Sequence, residues 1–181
     1  MTHRAARGAE VPLSSVLETE RLTLRRLTVD DDQFIFELLN DPAWIEFIGD
    51  KGVRTLADAR DYIRNGPMAM YEREGFGLWL TQRKSDDAPI GMCGLIKRDT
   101  LQDVDIGFAF LPAFRATGYA FEAASAVLVH GRGAFGLKRI VAITSPSNAR
   151  SALLLERLGM TFEKRVTLSA DDEVLLYASA S

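Results

Sequence analysis

Residues 114–123 read FRATGYAFEA and set Arg115, Gly118 and Ala120 in an R-x-x-G-x-A spacing. The stretch follows an alternating apolar run and opens a helical pattern. The first N–H groups of a helix have no partner inside it, and the helix dipole adds partial positive charge there. A helix mouth is therefore suited to an anion. Gly118 lets backbone approach an oxygen closely, Ala120 leaves room in the first turn, and Arg115 adds a charged donor. The chemistry suggested is a pyrophosphate cradled by a loop. An ordinary strand-to-helix turn, with a glycine for its backbone angle, accounts for the same local spacing.

Other candidates fall away on context. GRGAFG at 131–136 matches G-x-G-x-x-G, but a dinucleotide fingerprint needs strand, glycines, then helix. Here a helical pattern precedes the glycines and the strand RIVAIT follows, so the match is rejected. His3, His130 and the lone Cys93 are too few and too scattered for a zinc site, and no metal is expected. One cysteine allows no disulfide within the chain, which fits a reducing compartment.

The elements that must position the loop follow from periodicity. RLTLRRL (21–27) alternates as a strand, Thr28 caps a helix, and Thr55-x-x-Asp58 resembles a capping box opening a second helix that ends at Asn65-Gly66-Pro67. NDPAWIEFIGDKG (40–52) reads as a loop or short helical turn. Strands FGLWLTQR (76–83) and IGMCGLIKR (90–98) pair as a hairpin, and DVDIGFAFL (103–111) follows. A helix runs from about Gly118, then comes the strand RIVAIT (139–144). Asn148 starts a helix that Gly159 ends, and two closing strands remain. The strand–helix–strand unit over 103–144 implies a parallel pair with a right-handed crossover. The fold class is mixed α/β: a mostly antiparallel sheet with one parallel pair and helices on both faces. Residues 1–15 read as a flexible tail and 16–181 as a single domain.

The bulk figures fit that frame. The chain has 181 residues, 47% of them apolar and 26% charged, with a formal net charge of -3. That is enough for one sizeable core, and the acidic balance argues against a direct nucleic-acid binder. No apolar run approaches the roughly 20 residues that span a bilayer, and MTHRAARGAEVPLSS lacks the apolar centre of a secretory signal. A cytoplasmic protein with no membrane partner is expected.

Taken together, the segment from DVDIGF to LERLGMTF resembles the core of the GCN5-related N-acetyltransferases. It is most similar to the branch that acetylates ribosomal-protein N-termini. The DIGF strand, R-x-x-G-x-A, RIVAIT and N-x-x-S before LERLGM coincide in order. ETERLTLRRLTVDD and NDPAWIEFIG are similar to the family's opening strand and first helices. The resemblance covers roughly residues 17 to 178 and decides the reading of the loop.

The resemblance implies acetyl-CoA as co-substrate and no metal. Phe108, Ala109 and Phe110 would bind the pantetheine arm through their backbone, with an N–H near Phe110 polarising the thioester carbonyl. Arg115, Ala116, Thr117, Gly118, Tyr119 and Ala120 would wrap the pyrophosphate, and Asn148 would touch the cofactor from the next helix. Asp105 and Asp103 are candidates to accept or relay the amine proton; Asp105 is equally well read as a solvated strand carboxylate, and Asp103 is better read as one. Ser151 stands where this branch can use a serine to protonate the departing thiolate. Relatives with a tyrosine just after LGM use it there, whereas this chain has Thr161 and Phe162. Trp44, Phe47 and Tyr71 are candidates to line the acceptor pocket, with core packing as the alternative.

The expected activity is acetyl-CoA-dependent N-acetylation of a primary amine by direct attack in a ternary complex. The acceptor is read as a protein N-terminal α-amine, whose pKa of about 8 leaves little work for a base. A lysine amine, near 10.4, would need about 4 kcal/mol more help near neutrality. The alternatives are a metabolite or antibiotic amine as acceptor, or a non-catalytic acyl-CoA-binding module. A homodimer is expected only by analogy with similar proteins.

Overall fold

The computed structural model describes residues 15–180. Of the expected tail 1–15, residues 1–14 lie outside that range, and Ser15 opens the first strand. Eight strands form one sheet in the order β1-β2-β3-β4-β5-β6-β8-β7. They are β1 Ser15–Glu18, β2 Leu22–Arg25, β3 Leu78–Arg83, β4 Ala88–Ile96, β5 Asp105–Phe110, β6 Val141–Thr144, β7 Thr161–Ser169 and β8 Asp172–Ala178. All neighbours pair antiparallel except β5 and β6. That is the mixed, mostly antiparallel sheet the sequence implied.

The helices are α1 Asp32–Leu39, α2 Pro42–Phe47, α3 Leu56–Ile63, α4 Ala69–Glu74, α5 Tyr119–Phe135 and α6 Ala149–Arg157. They cover both faces. On one face Leu38, Ala59 and Ile63 of α1 and α3 pack on Leu80 and Met92. On the other, Ala123, Val127 and Leu128 of α5 pack on Trp79, Cys93 and Ile106, and Leu155 of α6 joins them. Each fully buried large aliphatic side chain here is worth about 1.5–3 kcal/mol, so these two layers hold the sheet between them. Among the described residues no helix is long and apolar enough to cross a membrane.

Capping follows the sequence closely. Thr28 and Thr55 each form a reciprocal capping box, with Asp31 and Asp58. Gly136 and Gly159 sit at φ 63° and 82°, ending α5 and following α6. GRGAFG is thus the last turn and stop of α5.

Two departures matter. β1 is a four-residue edge strand, Ser15–Glu18, that the reading of 21–27 as the first strand did not include. The second helix does not end at Asn65-Gly66-Pro67. It passes through a π turn, Arg64–Met68, into α4, and stops at Gly75 with φ 81°. Proline lacks an N–H and clashes with the carbonyl a turn back. The wider turn accommodates both, so the chain continues.

Candidate functional site

β5 and β6 share a single rung, Asp105 opposite Val141. Beyond it they diverge: β5 stays on β4 as far as Phe110, while β6 follows β8 to Thr144. Leu111 N–H donates to Ile90 O on the β4 side at 2.9 Å, and Val141 N–H donates to Val104 O on the β6 side at 3.0 Å. Backbone direction alternates along a strand. The Phe108 and Phe110 N–H groups therefore point into the opening, with no strand to receive them. The Phe110 carbonyl, on the same side, accepts from Arg115 Nε at 3.0 Å.

The loop after β5 carries the opening to the mouth of α5. Ala116 and Gly118 adopt left-handed φ of 58° and 83°. The first α5 bond runs from Glu122 N to Gly118 O at 3.0 Å, so Tyr119, Ala120 and Phe121 precede it with free N–H groups. Ala116, Thr117 and Gly118 are exposed. The free β5 amides, the left-handed loop and the start of a long helix follow one another along the chain, which suits an extended ligand that carries a pyrophosphate.

Residues 21–161 match the family described as acetyltransferase (GNAT) domain. The chain belongs to the GNAT acetyltransferase family. Among its relatives, the uncharacterized N-acetyltransferase YnaD of Bacillus subtilis is 30% identical over 81% of this chain and 83% of that protein. A crystal structure of an acetyltransferase from Agrobacterium tumefaciens is 26% identical, with a TM-score of 0.78 over 96% of this chain and 100% of that one. RimL, the ribosomal L7/L12 α-N-protein acetyltransferase solved with coenzyme A, superposes with a TM-score of 0.79 at 16% identity. It covers 92% of this chain and 98% of its own, and shares the fold.

The acetyltransferase places its expected site residues unevenly. Arg115 turns inward: besides Phe110 O it meets the Asp41 carboxylate, itself buried, at 2.5 Å. The cation lying across the outside of the loop is Arg21. Its Nη1 donates to Thr117 O at 3.2 Å, its Nε pairs with Glu122 at 3.0 Å, and its guanidinium stacks 4.3 Å from the Tyr119 ring centroid. Nothing near Arg21 in sequence marks it, because its partners lie about a hundred residues away.

Asn148 caps α6, its side chain accepting from Ser151 N–H at 3.2 Å. Ser151 is half-buried, and its hydroxyl has no hydrogen-bond partner among the described residues. Asp105 is 1% exposed. Arg98 Nε donates to both its oxygens, at 3.1 and 3.3 Å. Burial raises the Asp105 pKa to about 6, against the pull of Arg98. Asp103 instead pairs with Arg139 at 3.0 Å, which also holds Glu163.

Trp44 is buried among the α1 and α3 side chains, with an indole N–H that has no partner among the described residues. Phe47 is half-buried at the end of α2. Tyr71 lies in the core: its hydroxyl donates to Leu78 O and accepts from Leu27 N–H at 3.1 Å. Burial drives its pKa well up. His130 stacks edge-on against Trp79 and Phe135, and Cys93 is fully buried.

A cavity of about 770 Å³ lies on the flank of α5 between Leu17, Phe121 and Val129, and reaches the loop region through Arg21, Gly118 and Glu122. The free Phe108 and Phe110 donors face the wedge between β5 and β6 rather than that cavity.

Proposed function

We propose that this acetyltransferase moves the acetyl group of acetyl-CoA to a primary amine, with a protein N-terminal α-amine as acceptor. The observation that carries this is the pair of unpaired N–H groups, Phe108 and Phe110, aligned with the loop at 116–120. Acetyl-CoA supplies the activated acyl group. The chain's part is to hold, polarise and move protons. The Tyr119 and Ala120 amides and the α5 dipole receive the pyrophosphate. A β5 amide donates to the acyl oxygen as negative charge grows there, inside a wedge that excludes most water. Arg115 acts from inside, tying the loop to Phe110 and Asp41.

The amine approaches from the face that carries α1 and α3. The Asp105 side chain points there, with Gly107 and Ala109 in the same alternation. An α-amine with a pKa of about 8 is partly neutral near pH 7, so a carboxylate with a pKa near 6 suffices to take its proton. Ser151, with its uncommitted hydroxyl, is the proton donor assigned to the leaving thiolate. Asn148 supports it by fixing the first turn of α6. We place the protein in the cytoplasm, where acetyl-CoA and free thiols are available.

A small-molecule amine is the second acceptor reading, because the short α2 and the segment before α3 shape the entrance without a long groove being required. The test is thiol release from acetyl-CoA with peptides of varied N-termini and with small amines, mass spectrometry locating the acetylated nitrogen. Peptide-dependent release with α-amine modification is expected. Release with small amines alone would replace the peptide reading, and acetyl-CoA binding without release to any amine would replace both with a non-catalytic binder.

A further inference from the structure

Ala116, Thr117 and Gly118 are exposed, so burial does not hold their backbone in place. Two of the three are nonetheless left-handed, and Ala116, at φ 58°, carries a Cβ that disfavours that region. Such a conformation persists where the surroundings fix it. Thr117 Oγ1 donates to Phe114 O at 2.8 Å and Glu122 N–H donates to Gly118 O at 3.0 Å, but both bonds are local. Among the described residues one hydrogen bond reaches these three from outside 110–122. It runs from Arg21 Nη1 to Thr117 O at 3.2 Å.

Arg21 is itself fixed on several sides. It lies in the turn between β1 and β2. Its Nε donates to Glu122 Oε1 at 3.0 Å and its backbone N–H to Glu122 Oε2 at 3.3 Å. Thr19 Oγ1 donates to the same Oε2 at 2.9 Å, so the carboxylate in the first turn of α5 gathers the β1–β2 turn onto the helix. The Tyr119 ring, 4.3 Å from the guanidinium, supports it from one side. A Cβ on Gly118 would stand 3.3 Å from Arg21 Nη2, so the guanidinium lies directly against this stretch of backbone.

The bond to Thr117 O sets a direction. A trans peptide is planar, with its C=O and N–H pointing opposite ways. With the Thr117 carbonyl held to Arg21, the Gly118 N–H points away from the guanidinium, and it has no acceptor among the described residues. Rotation of that one peptide would turn the carbonyl to the side where the N–H now stands. A phosphate oxygen is bound by the N–H and repelled by the carbonyl.

We infer that Arg21 is a positioning residue for donor binding: it locks the Thr117–Gly118 peptide so that the N–H, not the carbonyl, is offered to the pyrophosphate of acetyl-CoA. This rests on the reading of residues 115–120 as the pyrophosphate loop. Arg115 ties the start of that loop to Phe110 O and Asp41, and Arg21 ties its middle to the β1–β2 turn. The lock needs an arginine, because Nε and Nη1 meet Glu122 and Thr117 O from separate, rigidly spaced nitrogens that a lysine ammonium does not provide.

Calorimetric titration of the full chain with acetyl-CoA tests this, with denaturant unfolding as the check that each variant folds. Arg21→Ala should weaken acetyl-CoA about tenfold, the worth of one charge-assisted hydrogen bond. Arg21→Lys keeps the charge and should still bind about three- to fivefold more weakly than wild type. S-acetylpantetheine has the thioester arm but no pyrophosphate, and its affinity, followed by NMR, should be the same in all three proteins. With any amine that the wild type acetylates, the acetyl-CoA KM should rise by the same factor as the Kd, with kcat within about twofold. Wild-type affinity for acetyl-CoA in Arg21→Ala overturns the lock. So does wild-type affinity in Arg21→Lys, because charge alone would then suffice. An equal loss for S-acetylpantetheine also overturns it, since the effect would lie in the whole fold. In each of these cases the wild type still binds acetyl-CoA and the donor reading stands. A wild type that does not bind acetyl-CoA removes the donor reading and the lock together.

Discussion

Arg115 and Asp41 meet at 2.5 Å and join the loop after β5 to the first residue before α2. The arginine also holds the Phe110 carbonyl, so one side chain fixes the end of β5, the loop after it and the start of α2 in a single arrangement. Asp41 is the buried partner and Arg115 the half-exposed one.

This link predicts an effect on donor binding from a residue outside the loop. Asp41→Asn keeps the shape but removes the charge that draws Arg115 inward. The expected result is acetyl-CoA affinity lower by five- to twentyfold, with a stability loss of about 1–3 kcal/mol. Calorimetric titration and denaturant unfolding measure the two separately. Donor affinity equal to wild type would show that the loop holds its form without the bridge.

Gly118 is the second test of the loop. Its φ of 83° is left-handed, and a Cβ there would lie 3.3 Å from Arg21 Nη2. Gly118→Ala should cost about 1 kcal/mol of stability from the backbone alone and weaken the donor moderately. Gly118→Glu adds a negative charge where we propose the pyrophosphate sits, and binding of acetyl-CoA should be lost. Titration of both variants checks this; an unchanged Kd for Gly118→Glu would move the pyrophosphate elsewhere.

Asp105 carries a pH signature in both stability and rate. Its pKa rises from 3.8 in the unfolded chain to about 6 in the fold, because burial disfavours the anion. The folded state thus holds its proton to higher pH than the unfolded state does. Stability is greatest below pH 3.8 for this group and falls as pH rises towards 6. The full change is on the order of 3 kcal/mol. Asp105→Asn should remove that slope, which unfolding curves between pH 4 and 7 will measure against wild type. For the rate the sign is opposite: the base works as the anion, so kcat/KM should fall below about pH 6 and Asp105→Asn should flatten that limb. A limb that persists in the variant would assign the proton to another group.

Tyr71 separates pocket from core. Its hydroxyl bridges Leu27 N–H and Leu78 O, tying α4 to the chain after β2 and to the start of β3. Tyr71→Phe leaves both backbone groups unpaired in a buried place. A loss of about 1–3 kcal/mol in stability is expected, with acceptor KM within twofold of wild type. A large KM change at unchanged stability would return Tyr71 to the acceptor pocket.

Elements with local stop and start signals were legible from sequence. α5 and α6 begin and end near the glycines and the asparagine that mark them, and both capping boxes form. The parallel pair followed from connectivity, because a strand, a long helix and a strand leave few alternatives. Pro67 misled because a proline usually ends a helix; whether a π turn absorbs it depends on packing, not on local preference. β1 is too short to show alternation before it pairs with β2. In the site, the backbone donors on β5 were an expectation from the family resemblance, and connectivity by itself gave only the parallel pair they border. Side-chain partners were not legible. Arg115 finds Asp41, Arg21 reaches Glu122, and Arg98 meets Asp105 only once the chain is folded.

The single rung between Asp105 and Val141 divides the molecule along a seam. Five strands belong to one side and three to the other, and past that rung the crossover through α5 is what keeps them together. A ligand in the seam would stand in for the missing ladder, a ninth strand that is not peptide. The half-sheets would then breathe against each other when it leaves and stiffen when it returns. Amides of β6 would exchange their hydrogens fast or slow according to whether that strand is present.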